Sequence, residues 1–299
     1  MIVPGTSRGS IFGSSGATSS DIRKALDEAA RDDLVKAVVL RVDSPGGSAV
    51  ASEIILDATR RVRAKKPLVV SMGDVAGSGG YYVAMAADTV FADRTTITAS
   101  IGVVGGKLVT TDMWKKVGIT FTPYSRGANA GMLAGDAPFT DAERAHIKKW
   151  MGSVYDTFTG HVLEARKDKL KKPIEELAQG RVYTGQQALE LGLVDKIGTL
   201  DDAIHFAADR ASLKDYDVKV VPEPKNFLEK LMEEGAGGAD KDNKWVGAAT
   251  SSPLANLALP YLKGLDPGRV TAVLSALERL QLLGDESVVV TMPGCMVLK

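Results

Sequence analysis

The 299-residue chain contains one cysteine, Cys295, and three histidines, His146, His161 and His205. A single thiol cannot close an internal disulfide, and no Cys/His grouping has the spacing of a zinc site, so disulfide scaffolds and zinc modules are excluded while the redox compartment stays open. Neither sign of charge is in excess: Lys and Arg number 37, as do Asp and Glu, and the formal net charge is zero. That is not the basic footprint a phosphate backbone selects, and nucleic acid is not expected as a partner. Long hydrophobic runs are absent as well. No stretch approaches the ~18 uninterrupted apolar residues of a membrane span, and the Gly/Ser-rich residues 1–20 lack both the basic and the apolar regions of a secretory signal. As written, the chain is expected to be soluble and to carry no export signal.

What is present is a large apolar complement, 44% of the residues, enough to fill the core of a sizeable α/β domain. From Ser20 onward helix and strand patterns alternate. A helix over Asp21 to Arg31 leads to the β-branched run Ala37 to Val42, closed by Pro45-Gly46-Gly47. A helix from Ser48 to Arg63 leads through Pro67 into a strand at Leu68 to Ser71, then the glycine-rich Gly73 to Gly80 and a third helix through Ala87. This is the rhythm of right-handed βαβ crossovers. Short strands are expected at Thr89 to Ala92, Ile101 to Val104 and Thr120 to Tyr124, and a long amphipathic helix from Thr140 to Arg166 with Asp141 and Glu143 in its first turn. The pattern divides the chain into a main domain over 1–221, a solvated linker over 222–253 and a small helix-strand appendage over 254–299, ending in the apolar strand Ser287 to Met292.

Two glycine turns close neighbouring strands, at the place where open α/β sheets bind ligands. Taken singly, each is an ordinary turn. Together they put Ser78, between Gly77 and Gly79, at the start of a helix beside the second turn, Gly46-Gly47. A nucleophile next to exposed backbone N–H groups is what an acyl-transfer site with an oxyanion hole requires. Competing motifs fail on spacing. Gly102 to Leu108 is one residue short of a P-loop and has Leu108 where a metal-binding hydroxyl belongs, and Ala76 removes the first glycine of a Gly-x-Ser-x-Gly elbow.

Four ordered segments carry a resemblance: Asp43-Ser44-Pro45-Gly46-Gly47-Ser48, Ala76-Gly77-Ser78-Gly79-Gly80-Tyr81-Tyr82, Ala99-Ser100-Ile101-Gly102-Val103, and Gly180-Arg181-Val182-Tyr183-Thr184-Gly185-Gln186-Gln187-Ala188 with Gly192-Leu193-Val194-Asp195. Over Ser20 to Ala211 the chain resembles the signal peptide peptidase A, or protease IV, family, and within it the serine-bearing second half of the double-length members. The resemblance implies a crotonase-like, Clp-protease-like spiral of βαβ units. It implies Ser78 as nucleophile, oxyanion donors from the amides of Gly46 or Gly47 and of Gly79, and Ser100 as the serine that hydrogen-bonds the catalytic lysine. It implies apolar peptide substrates such as released signal peptides, assembly into rings, and a place at the bacterial inner membrane reached through a segment not among these residues. No metal or organic cofactor is implied.

The chain departs from the family at the base. Where single-domain members carry a lysine, this sequence reads Tyr124-Ser125-Arg126-Gly127-Ala128-Asn129-Ala130-Gly131-Met132, with Ala130 in the lysine's place. The resemblance assigns the missing lysine to a homologous half or a partner chain. Lys107, after Gly105-Gly106, is a substitute only if it is desolvated, since an ordinary lysine stays protonated near neutrality. The histidines all fall on helices far from Ser78 in sequence. Two other functions stay open: a non-catalytic partner domain of a larger peptidase, and a crotonase-type acyl-CoA enzyme, against which Ser78 and Arg181 to Gly185 argue.

Overall fold

The computed structural model describes residues 1–5, 17–221 and 288–291. The expected linker lies outside them, as does the appendage apart from its terminal strand. The described strands are β1 (Ile2–Val3), β2 (Ala17–Thr18), β3 (Val38–Ser44), β4 (Gly46–Ser48), β5 (Leu68–Gly77), β6 (Thr89–Ala92), β7 (Ile97–Ala99), β8 (Val104–Gly105), β9 (Val182–Thr184), β10 (Lys196–Ile197) and β11 (Val288–Thr291). The helices are α1 (Ser19–Arg31), α2 (Ala49–Arg63), α3 (Gly79–Ala84), α4 (Thr111–Lys116), α5 (Asp141–Arg166), α6 (Ile174–Leu177), α7 (Gly185–Glu190) and α8 (Leu200–Arg210).

The main sheet is built around β5, the apolar run Leu68-Val69-Val70-Ser71-Met72, buried on both faces as a parallel central strand must be. One edge of β5 pairs in parallel with β3, and the other is shared, Val69–Ser71 with β6 and Val75–Gly77 with β7. Beyond these, β10 pairs in parallel with β6 and β9 antiparallel with β7. A second sheet runs in the order β2-β1-β4-β11-β8. α2 buries Ala51, Ile55, Leu56, Ala58, Thr59 and Val62, the spacing of one helical face. Its N-cap is Ser48, whose Oγ accepts the Ala51 N–H at 3.1 Å, so the Gly46-Gly47 turn feeds directly into a capped helix.

β5 runs on to Gly77 where a turn was expected after Ser71. The reason is Asp43: its carboxylate accepts the Val75 N–H at 3.1 Å across a bulge between Val42 and Ser44, and a side chain at position 73 would strike the Asp43 side chain at 2.7 Å. Of the residues expected as a strand at Ile101 to Val104, only Val104 lies in one, β8, while Ile101 to Val103 connect β7 to it; Thr120 to Tyr124 form no strand. That segment has the alternation of a strand but no neighbour to pair with among the described residues, and an unpaired strand is not stable by itself. The long helix forms as expected, with a reciprocal Thr140/Glu143 capping box. The Thr140 N–H and hydroxyl donate to the Glu143 carboxylate and hold it below the ordinary carboxylate range. Only its C-terminal half is well packed, where Phe158 lies 4.6 Å from the Tyr82 ring.

Candidate active site

Ser78 stands between the end of β5 and the start of α3, with φ 53° and ψ −111°. A β-carbon in that region costs about 1–3 kcal/mol, which the surroundings must offset. Its N–H donates to the Ala99 carbonyl at 2.7 Å, and its carbonyl accepts the Tyr82 N–H at 2.8 Å, so both ends of the residue are pinned. The side chain is fully buried, and Oγ has no hydrogen-bond partner among the described residues. A buried hydroxyl left without a partner is unfavourable by about 1–3 kcal/mol, and such groups call for an explanation.

Ser100 is brought alongside by the sheet register. Gly77 pairs with Ala99, so Ser78 and Ser100 are the residues that follow the ends of adjacent parallel strands, and both have positive φ, 53° and 50°, as does Ala99 at 66°. The Ser100 N–H donates to Arg181 O at 2.9 Å, and the Gly180 N–H donates to Ile101 O at 2.8 Å. Those bonds give the Gly180-to-Thr184 segment its role: it clamps the strained Ser100 loop from the far side.

The Gly46-Gly47 turn arrives from the other neighbour. β3 pairs Ser44 with Ala76, which places the turn beside the end of β5. α3 then closes on it so tightly that a β-carbon at Gly80 would lie 2.5 Å from Ser44 O. At Gly47 a side chain would overlap the Ile2 backbone, because β1 runs directly beside it. The Gly46 N–H is held by Ser44 Oγ at 3.2 Å, a contact that orients the turn. Thus Ser78, Gly79, Ser100 and Gly46-Gly47 converge on one end of the sheet.

Ala130 does not join them. It is exposed, in a local turn in which its N–H donates to Gly127 O at 3.3 Å. Lys107 also faces elsewhere: its ammonium lies 4.5 Å from the Phe139 ring centroid, beside the start of α5. His146 and His205 lie on α5 and α8.

Two clusters behind the site were not read from the sequence. The first supports α3 from α2 and α5. The Tyr82 hydroxyl donates to Glu53, whose carboxylate is 3.1 Å from His161 Nε2, while Arg60 reaches His161 Nδ1 at 3.1 Å and Glu164 at 2.7 Å. Burial first, and the Glu53 carboxylate second, push the Tyr82 phenol far above its ordinary value. The second is Arg166, 1% exposed, which donates to Gly192 O at 2.8 Å and to both Asp195 oxygens at 3.0 and 3.2 Å. Asp195 also accepts the Val90 N–H, and the neighbouring Tyr81 hydroxyl donates to Leu193 O at 2.9 Å. Burial, above all, pushes the Tyr81 phenol up to about 12. Gly192 to Asp195 is thereby a structural latch for the helix that follows Ser78. Its sequence signal was the motif itself, but Arg166 carried none.

Among the described residues no group of side chains could hold a metal ion, and no helix is long and apolar enough to cross a membrane. The profile of peptidase family S49 matches residues 60–214. The chain is 38% identical over 179 residues to the chloroplastic serine protease SPPA of Arabidopsis thaliana, covering 60% of this chain and 26% of that protein. It is 35% identical over 223 residues to a putative protease of Synechocystis, covering 72% and 79%, and 37% identical over 225 residues to Protease 4 of Salmonella typhi, covering 74% and 35%. The chain thus spans about a quarter to a third of two of these relatives and most of the third. The matched region contains β5, the Ser78 elbow, the Ser100 loop and the Asp195 latch, on the α/β, Clp-protease-like and crotonase-like architecture expected of it. This chain belongs to peptidase family S49, the signal peptide peptidase A type of serine peptidase.

Proposed function

We propose that the site hydrolyses peptide bonds in short apolar peptides, such as released signal peptides, with Ser78 as nucleophile and a lysine from a homologous half or partner chain as base. The observation that carries this is the fully buried Ser78 Oγ, without a partner among the described residues, at a strained turn into α3. In the proposed cycle the lysine amine takes the Oγ proton as Oγ attacks the peptide carbonyl carbon. The amide of Gly79, with that of Gly46 or Gly47, holds the resulting oxyanion. The C–N bond then breaks, the lysine ammonium gives its proton to the leaving amine, and water releases the acyl group by the same route. Ser100 orients the incoming lysine.

The source of the lysine has a surface to match. Residues 104–133 expose Val109, Met113, Val117, Ile119, Phe121 and Tyr124, from 40% for Val109 to 93% for Tyr124, on an arm with no buried helix residue. An apolar surface of that kind suits a protein partner, and we assign it to self-association or to the lysine-bearing half. The apolar strand β11 offers no free edge for such pairing, since both its edges are taken, by β4 and β8. By family, the assembly acts at the bacterial inner membrane.

The test is a fluorogenic apolar-peptide assay on the chain alone, on Ser78→Ala and on Lys107→Ala, each with and without a lysine-bearing half in trans. Turnover restored in trans and abolished in Ser78→Ala supports the reading. Turnover that survives Ser78→Ala refutes the nucleophile, and robust turnover by the chain alone that vanishes in Lys107→Ala makes Lys107 the base. A non-catalytic partner role, favoured by the missing base, predicts no turnover in any mixture.

A further inference from the structure

β5 is irregular on both edges at one place. Toward β3 the parallel ladder runs in step from Val38 opposite Leu68 to Val42 opposite Met72, then resumes with Ser44 opposite Ala76. One residue of β3, Asp43, therefore faces three of β5, Gly73, Asp74 and Val75. On the other edge β5 changes neighbour across the same residues, from β6 up to Ser71 to β7 from Val75. The groups that converge on the site all lie beyond this joint: Ser78 follows β5, Ser100 follows β7 and the Gly46-Gly47 turn follows β3.

The slip decides which residues meet. Had the ladder stayed in step, Ser44 would face Asp74, and at about 3.3 Å per residue Ser78 would lie roughly 7 Å past the glycine turn. With the slip Ser44 faces Ala76, and two residues on from that pair Gly46 reaches the level of Ser78. Two side chains hold the extra residues, whose backbone groups a bulge takes out of the ladder. The Asp43 carboxylate accepts the Val75 N–H at 3.1 Å, and the buried Thr96 hydroxyl donates to Gly73 O at 2.8 Å. Thr96 is itself fixed, its Oγ1 accepting the Asp93 N–H at 3.0 Å.

We propose that Asp43 and Thr96 are positioning residues: they hold a two-residue slip of β5 against β3 that sets Ser78 level with the Gly46-Gly47 amides. Neither side chain takes part in the chemistry, and both act through the backbone of β5. The proposal rests on the peptidase reading for its kinetic consequence, but the slip is measured separately from turnover.

Asp43→Ala, Asp43→Asn and Thr96→Val are compared with the unaltered chain in two measurements. One is turnover of a fluorogenic apolar peptide with the lysine-bearing half in trans, and the other is hydrogen exchange at the Val75 amide by NMR. Asparagine keeps a carbonyl oxygen for the Val75 N–H, whereas alanine does not. Asp43→Ala should lower kcat about 10²-fold, the scale of a misplacement of about 1 Å between reacting groups, with KM little changed, and should speed Val75 exchange. Asp43→Asn should keep both within a few-fold of the unaltered chain. Thr96→Val, which leaves Asp43 in place, should also lower kcat rather than raise KM, and it decides the matter if Asp43→Ala does not fold. The proposal is overturned if Asp43→Asn falls as far as Asp43→Ala, if KM rises while kcat is kept, or if Val75 exchange is indifferent to Asp43→Ala. No turnover in any mixture, with the exchange difference intact, would support the slip and remove the peptidase chemistry alone.

Discussion

Replacing Arg166 by methionine should destabilise the domain by about 3 kcal/mol, the lower part of the range for breaking a buried ion pair. The figure follows from the surroundings. Arg166 is 1% exposed and the Asp195 side chain 15%, so neither charge is well screened by water. Without Arg166 the carboxylate is not wholly abandoned, because Lys169 Nζ remains at 2.7 Å and the Val90 N–H at 2.9 Å. Asp195→Asn should cost more, about 4–5 kcal/mol, because it strands a buried guanidinium with the Gly192 carbonyl as its remaining partner of full strength. Replacing both residues by apolar ones of similar volume should recover much of the loss. For a domain of this size, 3 kcal/mol corresponds to roughly 6–12 °C in Tm. Burial raises the Asp195 carboxyl, but hydrogen bonds and charge from Arg166, with Lys169, outweigh it and leave it below the ordinary value. A depressed carboxyl stabilises the fold above the unfolded-state value near pH 4, and that stability is lost as pH falls through the lower folded value. The gap between unaltered chain and Arg166→Met in urea unfolding should therefore be full at pH 7 and narrow in acid. A cost below about 1 kcal/mol, or a gap that widens in acid, would show that the latch behaves as a surface pair.

The remaining predictions concern the site. Ser78→Ala should leave the urea midpoint unchanged or raise it, since it deletes a buried hydroxyl without a partner; a loss above about 0.5 kcal/mol would mean that Oγ is bonded after all. Gly80→Ala should cost about 1–3 kcal/mol by thermal melting, because its β-carbon meets Ser44 O at 2.5 Å, and should lower turnover by shifting Gly79. Ser44→Ala, which frees the Gly46 amide, should lower kcat more than it raises KM in the reconstituted assay. The chain alone should fall about 10²–10⁴-fold short of the reconstituted rate, the usual worth of general-base assistance.

Local pattern carried a good part of the fold into view. Buried parallel strands announce themselves as apolar β-branched runs, and capped helices by their first turns, so β3, α2, β6 and α5 were legible within a residue or two. What escaped was set by contacts distant in sequence. β5 continues through Gly73 because Asp43, on another strand, satisfies the Val75 amide. Thr120 to Tyr124 has strand chemistry without a strand because nothing among the described residues pairs with it. β11 was visible as a strand, but its seat between β4 and β8 was not, since pairing partners leave no mark in a short apolar segment. The same holds for Arg166, one basic residue at a helix end among several until Asp195 is placed beneath it.

Strain bears on whether the site has a catalytic or merely structural purpose. Ser78, Ala99 and Ser100 are all non-glycine residues at positive φ, on adjacent strand ends. At about 1–3 kcal/mol each, they store energy comparable with the net stability of an ordinary domain, about 5–15 kcal/mol. Glycine at any of them would relieve it, and this chain places glycine freely at the flanking positions 77, 79, 80 and 102. A scaffold needing only the turn would gain from glycine at position 78, whereas a scaffold that must present a hydroxyl toward two sets of amides cannot use it. Ser78 and Ser100 thus keep hydroxyls at strained positions, and the Oγ of Ser78 is buried with no hydrogen-bond partner among the described residues.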